Sequence, residues 1–126
     1  MKIDGKSYRT IWLAANGRTV EVIDQTRLPH VLEIRSLATP DDAVAAIRDM
    51  VVRGAPLIGA TAGYGMALAM ATDASDVMLR RAYDRLMATR PTAVNLRWAL
   101  DDLRGLLMPL PMDQRVTAAY TRADEI

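Results

Sequence analysis

The sequence predicts an α+β fold: a small three-stranded antiparallel meander over about residues 7–36, followed by a bundle of about five helices. Three observations predict it. Short apolar runs with turn residues between them fill the first 37 positions, and apolar residues recur at helical spacing from Thr39 onward. Asn16-Gly17, a dipeptide that readily takes positive φ, separates two of the early runs. Phe is missing while Met numbers eight, so the core draws on Ala, Leu, Val and Met, a composition suited to close-packed helices. With 126 residues, 51% of them apolar, one domain has enough material for a core. The meander takes residues 1–37 of it and the helical part 39–126.

The elements follow in order. Tyr8 to Leu13 and Thr19 to Ile23 flank the Asn16-Gly17 turn, and a third strand is expected at about Val31 to Arg35, with Leu32 and Ile34 on one face. Between them, Pro29 cannot donate to a ladder and suits a strand's beginning. Thr39 is the expected N-cap of the first helix, Pro40 its first residue, and Asp41 and Asp42 occupy its positive first turn. Ala43, Ala46, Ile47, Met50 and Val51 line one face. Pro56 is then expected to open a helix without a charged residue from Gly54 to Thr72, where Gly59, Gly63 and Ala67 recur every four positions and allow a backbone to approach closely. The helix from Pro56 is at the lower length limit for a membrane span, opens with Pro, and contains three glycines, Thr61 and Tyr64, so it reads as a buried central helix.

Ser75 caps the next helix, with Leu79, Ala82, Tyr83 and Leu86 at i, i+3, i+4, i+7 and an end near Arg90. Pro91 is expected to start another, burying Leu96, Leu100, Leu103 and Leu107 and leaving Arg97, Asp101, Asp102 and Arg104 in water. Met108-Pro109-Leu110-Pro111 breaks it. From Met112 to Ile126, Val116, Ala119, Tyr120 and Ala123 keep helical spacing without a stop signal, so the chain is expected to end in mid-element.

The stretch most suggestive of chemistry is Arg53-Gly54-Ala55-Pro56-Leu57-Ile58-Gly59. A helix start points free N–H groups and a partial positive charge backwards, Gly54 and Ala55 leave room for an oxyanion, and Arg53 offers a fork matched to phosphate oxygens. A tight turn with a solvated Arg explains the same residues. Arg90 stands in a like setting before Pro91-Thr92, where it either converges on the same ligand or satisfies the last carbonyls of the preceding helix. Asn95 is either a partner for a sugar hydroxyl or an exposed polar position. His30, the only histidine, has no Asp or Glu spaced for a triad or metal site and reads as structural or exposed. Asp101 and Asp102 point about 100° apart on a helix and cannot share a proton. Tyr8, Trp12, Tyr64 and Trp98 are too scattered for a base-stacking platform, and packing accounts for them.

Sixteen Lys and Arg against fifteen Asp and Glu are interspersed, without the footprint of a nucleic-acid or lipid-surface binder. Cysteine is absent, which excludes disulfides and thiol nucleophiles from this chain and fits a cytoplasmic protein. The first residues carry no apolar secretory segment.

Val52-Arg53-Gly54-Ala55-Pro56-Leu57-Ile58-Gly59, then Ala62-Gly63-Tyr64-Gly65, then Arg90-Pro91-Thr92-Ala93-Val94-Asn95-Leu96 together resemble the methylthioribose-1-phosphate isomerase family. Asp24 to His30 resembles a segment that these enzymes carry after their second strand, so the likeness covers essentially the whole chain. It implies an aldose-ketose isomerase of methionine salvage that works without metal or cofactor, and a β-meander plus helical N-terminal domain joined to a larger Rossmann-like domain. It also implies that Arg53, Gly54 and Ala55 contact the substrate, chiefly its phosphate, and that Arg90 is the second substrate-binding arginine. The family's catalytic cysteine and aspartate belong to the C-terminal domain and have no counterpart here, so no catalytic residue is expected in this chain. Leu57 departs from the small residue common at that place, which bears on packing more than on ligand contact. The expected partners are a sugar phosphate, the missing C-terminal domain and a further copy in a homo-oligomer, with no nucleic acid and no membrane. Two other readings accompany this one: a non-catalytic module related to the subunits of initiation factor 2B, and another sugar-phosphate isomerase such as a ribose-1,5-bisphosphate isomerase.

Overall fold

The computed structural model describes residues 2–3, 6–7, 11–26, 33–52 and 54–126. Strands β1 (Lys2–Ile3) and β2 (Lys6–Ser7) form a two-stranded antiparallel ladder. β3 (Ile11–Leu13), β4 (Val20–Ile23) and β5 (Ile34–Leu37) form the antiparallel meander, in sequence order. Five helices follow among the described residues: α1 (Pro40–Arg48), α2 (Ala55–Thr72), α3 (Asp76–Thr89), α4 (Val94–Leu107) and α5 (Met112–Glu125).

The hairpin forms where expected. Gly17 has φ +71°, and the Asn16 side-chain oxygen accepts from the N–H groups of Arg18 and Thr19, at 2.9 and 3.0 Å. The third strand lies later than the sequence suggests, at Ile34–Leu37, because its register pairs Leu37 with Val20 and sends Leu37 into the core while Ile34 is exposed. Tyr8, Pro29, His30, Val31 and Leu32, which figured in the expectations for this region, lie outside the described residues.

α1 begins as its sequence implies. The Thr39 hydroxyl accepts from the Asp42 N–H at 3.1 Å, and the Asp42 carboxylate accepts from the Thr39 N–H at 3.2 Å, a reciprocal box worth about 1 kcal/mol. Ala43, Ala46, Ile47 and Val51 are buried, but Met50 is exposed: the helix has ended at Arg48, and φ at Met50 is +61°, so the helical period no longer holds there.

α2 is the central helix, packed against α1, α3, α4 and α5. Every residue from Thr61 to Met70 is buried, which its lack of charge and polar face requires. Among the described residues, no helix is long and apolar enough to cross a membrane. Its glycines do what small residues permit. A Cβ on Gly63 would meet the Ala123 Cβ of α5 at 3.5 Å, and one on Gly65 would lie 3.0 Å from the Ala43 Cβ of α1 and 3.1 Å from a Leu86 methyl of α3. Gly65→Ala should therefore cost about 1–3 kcal/mol through overpacking, read as a lowered urea midpoint. An unchanged midpoint would show that α1 and α3 can give way.

Ser75 caps α3 by accepting from the Met78 N–H at 3.2 Å. In α4, Leu96, Leu100, Leu103 and Leu107 are fully buried, as their spacing predicts. Asp102 is not left in water as expected: both its oxygens meet Arg122 of α5, at 2.6 and 3.1 Å. Trp98 is not packed as expected either but 54% exposed on the outer side of α4. α5 runs antiparallel to α2, with Arg115 near Ala74 at one end, Ala123 against Gly63 at the other, and the Tyr64 hydroxyl donating to Asp124.

Candidate functional site

The two helix starts singled out in the sequence meet. Gly54, Ile58, Arg90, Ala93, Val94, Asn95 and Leu96 line one cavity of about 430 Å³, formed by the beginning of α2 and the connection from α3 to α4. Arg53 lies outside the described residues, and of Ala55 the backbone alone is described, as the first residue of α2.

Both starts differ from expectation by a local rule. α2 begins at Ala55, one residue before Pro56, with Gly54 as N-cap at φ +94°, a conformation open to glycine and strained for any other residue. No side chain caps this end. The Gly54 carbonyl accepts from the Ile58 N–H at 3.0 Å, and the Leu57 N–H stands in the first turn, where helical amides have no intrahelical acceptor. Pro91 does not start α4. Arg90-Pro91-Thr92-Ala93 is a turn closed by the Ala93 N–H donating to the Arg90 carbonyl at 3.0 Å, with proline at the second position, which its fixed φ suits. Arg90, at φ −148° and ψ 78°, has left the helical region that a following proline disfavours and ends α3, and α4 starts at Val94.

Among the described residues the Arg90 guanidinium makes no hydrogen bond or ion pair, although Arg90 is half-buried and stands at the C-terminus of a helix. It therefore does not cap the last carbonyls of α3, and five N–H donors remain available to a ligand. Asn95 is exposed, as the second of its two sequence readings has it, and it lines the cavity. Ile58 and Val94 were missed by sequence reasoning, because an apolar wall beside a cation has no motif of its own.

The chain leading to residue 53 is held from the segment after β4 and from α1. The Gln25 N–H donates to the Val51 carbonyl at 2.9 Å, and the Val52 N–H to the Ala46 carbonyl at 3.3 Å. Next to Gln25, the buried Asp24 accepts from the N–H and hydroxyl of Thr26 through Oδ1, while Oδ2 lies 2.7 Å from Arg35 Nε as an ion pair. Burial pushes this carboxyl up, but the Thr26 hydrogen bonds and the Arg35 charge outweigh it and hold Asp24 below the usual carboxylate range.

No family model matches the chain. Its relatives are nonetheless plain. A methylthioribose-1-phosphate isomerase of Paramagnetospirillum magneticum is 64% identical over all 126 residues, and one of Rhizobium meliloti is 56% identical over the same span. Over its whole length the chain is similar to methylthioribose-1-phosphate isomerases. It spans about a third of their length, 35% of each of these two. The crystal structure of 5-methylthioribose 1-phosphate isomerase from Pyrococcus horikoshii matches 95% of the chain with a TM-score of 0.85 at 34% identity, over 36% of that structure. The delta subunit of translation initiation factor 2B from A. fulgidus matches 94% of it with a TM-score of 0.84 at 31% identity, again over 36%. The similarity to methylthioribose-1-phosphate isomerases thus reaches every element described above, the cavity included.

Proposed function

We propose that this chain is the substrate-binding part of a methylthioribose-1-phosphate isomerase, which converts 5-methylthioribose 1-phosphate into 5-methylthioribulose 1-phosphate in methionine salvage. The observation that carries the proposal is the cavity in which an uncapped helix start with Gly54 faces Arg90, which has no partner among the described residues, in a chain 64% identical to such an isomerase. In this reading Arg53, Gly54 and Ala55 grip the phosphate from the start of α2, and Arg90 grips it from the turn before α4.

The chemistry needs more than a grip. A phosphate on the anomeric carbon prevents free ring opening, and after opening a hydrogen must move between C2 and C1. Acid and base groups must flank the sugar for this. The described cavity wall offers a guanidinium, an amide and apolar groups, and no carboxylate, imidazole or thiol. The proton-moving pair, the cysteine and aspartate that the resemblance implies, would then come from the remainder of a protein of the relatives' length.

The test is turnover of 5-methylthioribose 1-phosphate, followed by phosphorus NMR. The full-length protein should convert it, and residues 1–126 alone should not. Turnover by residues 1–126 would refute the division of labour, and failure of the full-length protein would refute the activity. The likeness to the initiation-factor subunit favours a second reading, a non-catalytic interaction module. On that reading sugar phosphates would leave the melting temperature unchanged and a larger partner would co-purify.

A further inference from the structure

α2 and the start of α4 approach closely at Gly59. A Cβ placed there would lie 3.1 Å from the Asn95 carbonyl oxygen and 3.6 Å from the Asn95 carbonyl carbon and Cβ. Gly59 is buried in the helix and has no positive φ, so space alone, rather than backbone conformation, calls for glycine. Asn95 belongs to one wall of the cavity, and Gly59 adjoins Ile58 of the other. Asn95 lines it, as does Arg90 five residues before, while Ile58 and Gly54 line it from α2. The spacing of the helices at this point therefore bears on the spacing between the helix start at Gly54 and the arginine across from it.

We propose that Gly59 is a positioning residue of the phosphate site: by carrying no side chain, it lets the Arg90–Asn95 connection seat against α2 at the spacing at which both walls reach one phosphate. The inference rests on the function proposed above. A methyl at position 59 must displace the Asn95 backbone by a few tenths of an ångström, and the carbonyl cannot turn aside as a flexible side chain would. The whole turn that carries Arg90 moves with it. Helix propensity acts the other way, since Ala favours a helix more than Gly does, and offsets part of the packing cost. A charge-assisted contact depends steeply on such a displacement.

The experiment compares the full-length protein with its Gly59→Ala and Gly63→Ala variants. Gly63 is the control, buried one turn further along α2, where an added Cβ would meet Ala123 and Ile126 side chains at an ordinary 3.5 Å. Three quantities are measured: the melting temperature, kcat and KM for 5-methylthioribose 1-phosphate, and the Kd of inorganic phosphate by calorimetry. Gly59→Ala should raise KM and the phosphate Kd by about five- to tenfold with kcat within about twofold, as expected for a displaced binding group that takes no part in the chemical step. Gly63→Ala should change neither. The inference is overturned if Gly59→Ala leaves both constants at their wild-type values, if Gly63→Ala shifts them equally, or if Gly59→Ala abolishes the melting transition, which would make Gly59 a packing requirement alone. Absence of turnover by the wild-type protein refutes the isomerase reading instead and leaves the phosphate constants to decide the role of Gly59. A wild-type protein that binds no phosphate overturns the inference.

Discussion

Arg115→Ala is expected to destabilise the fold by about 3–5 kcal/mol, a large share of the roughly 5–15 kcal/mol that a domain commonly has. Arg115 is 3% exposed, yet no ligand or catalytic role is needed to explain it. Its Nε donates to the carbonyls of Leu107 and Leu110 at 2.9 and 3.2 Å, Nη2 to that of Met108 at 3.0 Å, and Nη1 to that of Ala74 at 2.8 Å. One guanidinium so satisfies the end of α4, the breaker Met108-Pro109-Leu110 and the loop between α2 and α3. Hydrogen bonds from a charged donor contribute about 1.5–3 kcal/mol each and do not add fully, and removal of the side chain leaves several carbonyls without a partner. The ion pair with Asp76, at 2.6 Å, adds little because that carboxylate is 56% exposed. Arg115→Lys should fall between, since a compact ammonium cannot reach in four directions as the planar fork does. Urea unfolding of the three proteins measures this, and an alanine variant within about 1 kcal/mol of wild type would refute the account.

In the full-length protein, Arg90→Ala should raise KM about ten- to a hundredfold. The charged hydrogen bonds it would remove are worth about 1.5–3 kcal/mol, and each 1.4 kcal/mol is a factor of ten. Arg53→Ala should act in the same direction and by a similar amount, because its neighbour Gly54 opens the helix that faces Arg90 across the cavity. A double-mutant cycle tells whether both arginines hold one phosphate: coupling of about 0.5–3 kcal/mol is the expected result for two groups on a shared ligand. An unchanged KM in Arg90→Ala would remove it from the site, and strict additivity would mean that the two arginines act on separate ligands.

Much of this molecule is legible in its residues because the rules involved are local. The Thr39-Pro40-Asp41-Asp42 helix start, the Ser75 cap, the Asn16-Gly17 turn and the Leu96, Leu100, Leu103, Leu107 stripe all depend on neighbours within a few positions. Where local rules compete, the sequence misleads. Pro91 satisfies the chemistry of a helix start and that of a turn alike, and the turn wins because Arg90, which precedes it, has already left the helical region. Met50 fits the periodicity of α1 but follows its last residue, and Asp102 fits a solvated face until α5 lays Arg122 beside it. The late register of β5 follows from pairing with β4 across ten intervening residues, which no short-range signal specifies.

The same division holds for the site. By itself the sequence determined the class of the fold, a glycine-marked helix start near position 54, the presence of a second arginine beside proline, and a family likeness carried by three ordered motifs. Only the tertiary structure decided that Gly54 and Arg90 face one cavity, that Arg90 has no partner of its own among the described residues, and that Gly59 lies close against Asn95. Helix starts and caps are written by residues a turn apart, whereas the distance between positions 54 and 90 is set by how α2 packs against α4, through side chains spread along both helices.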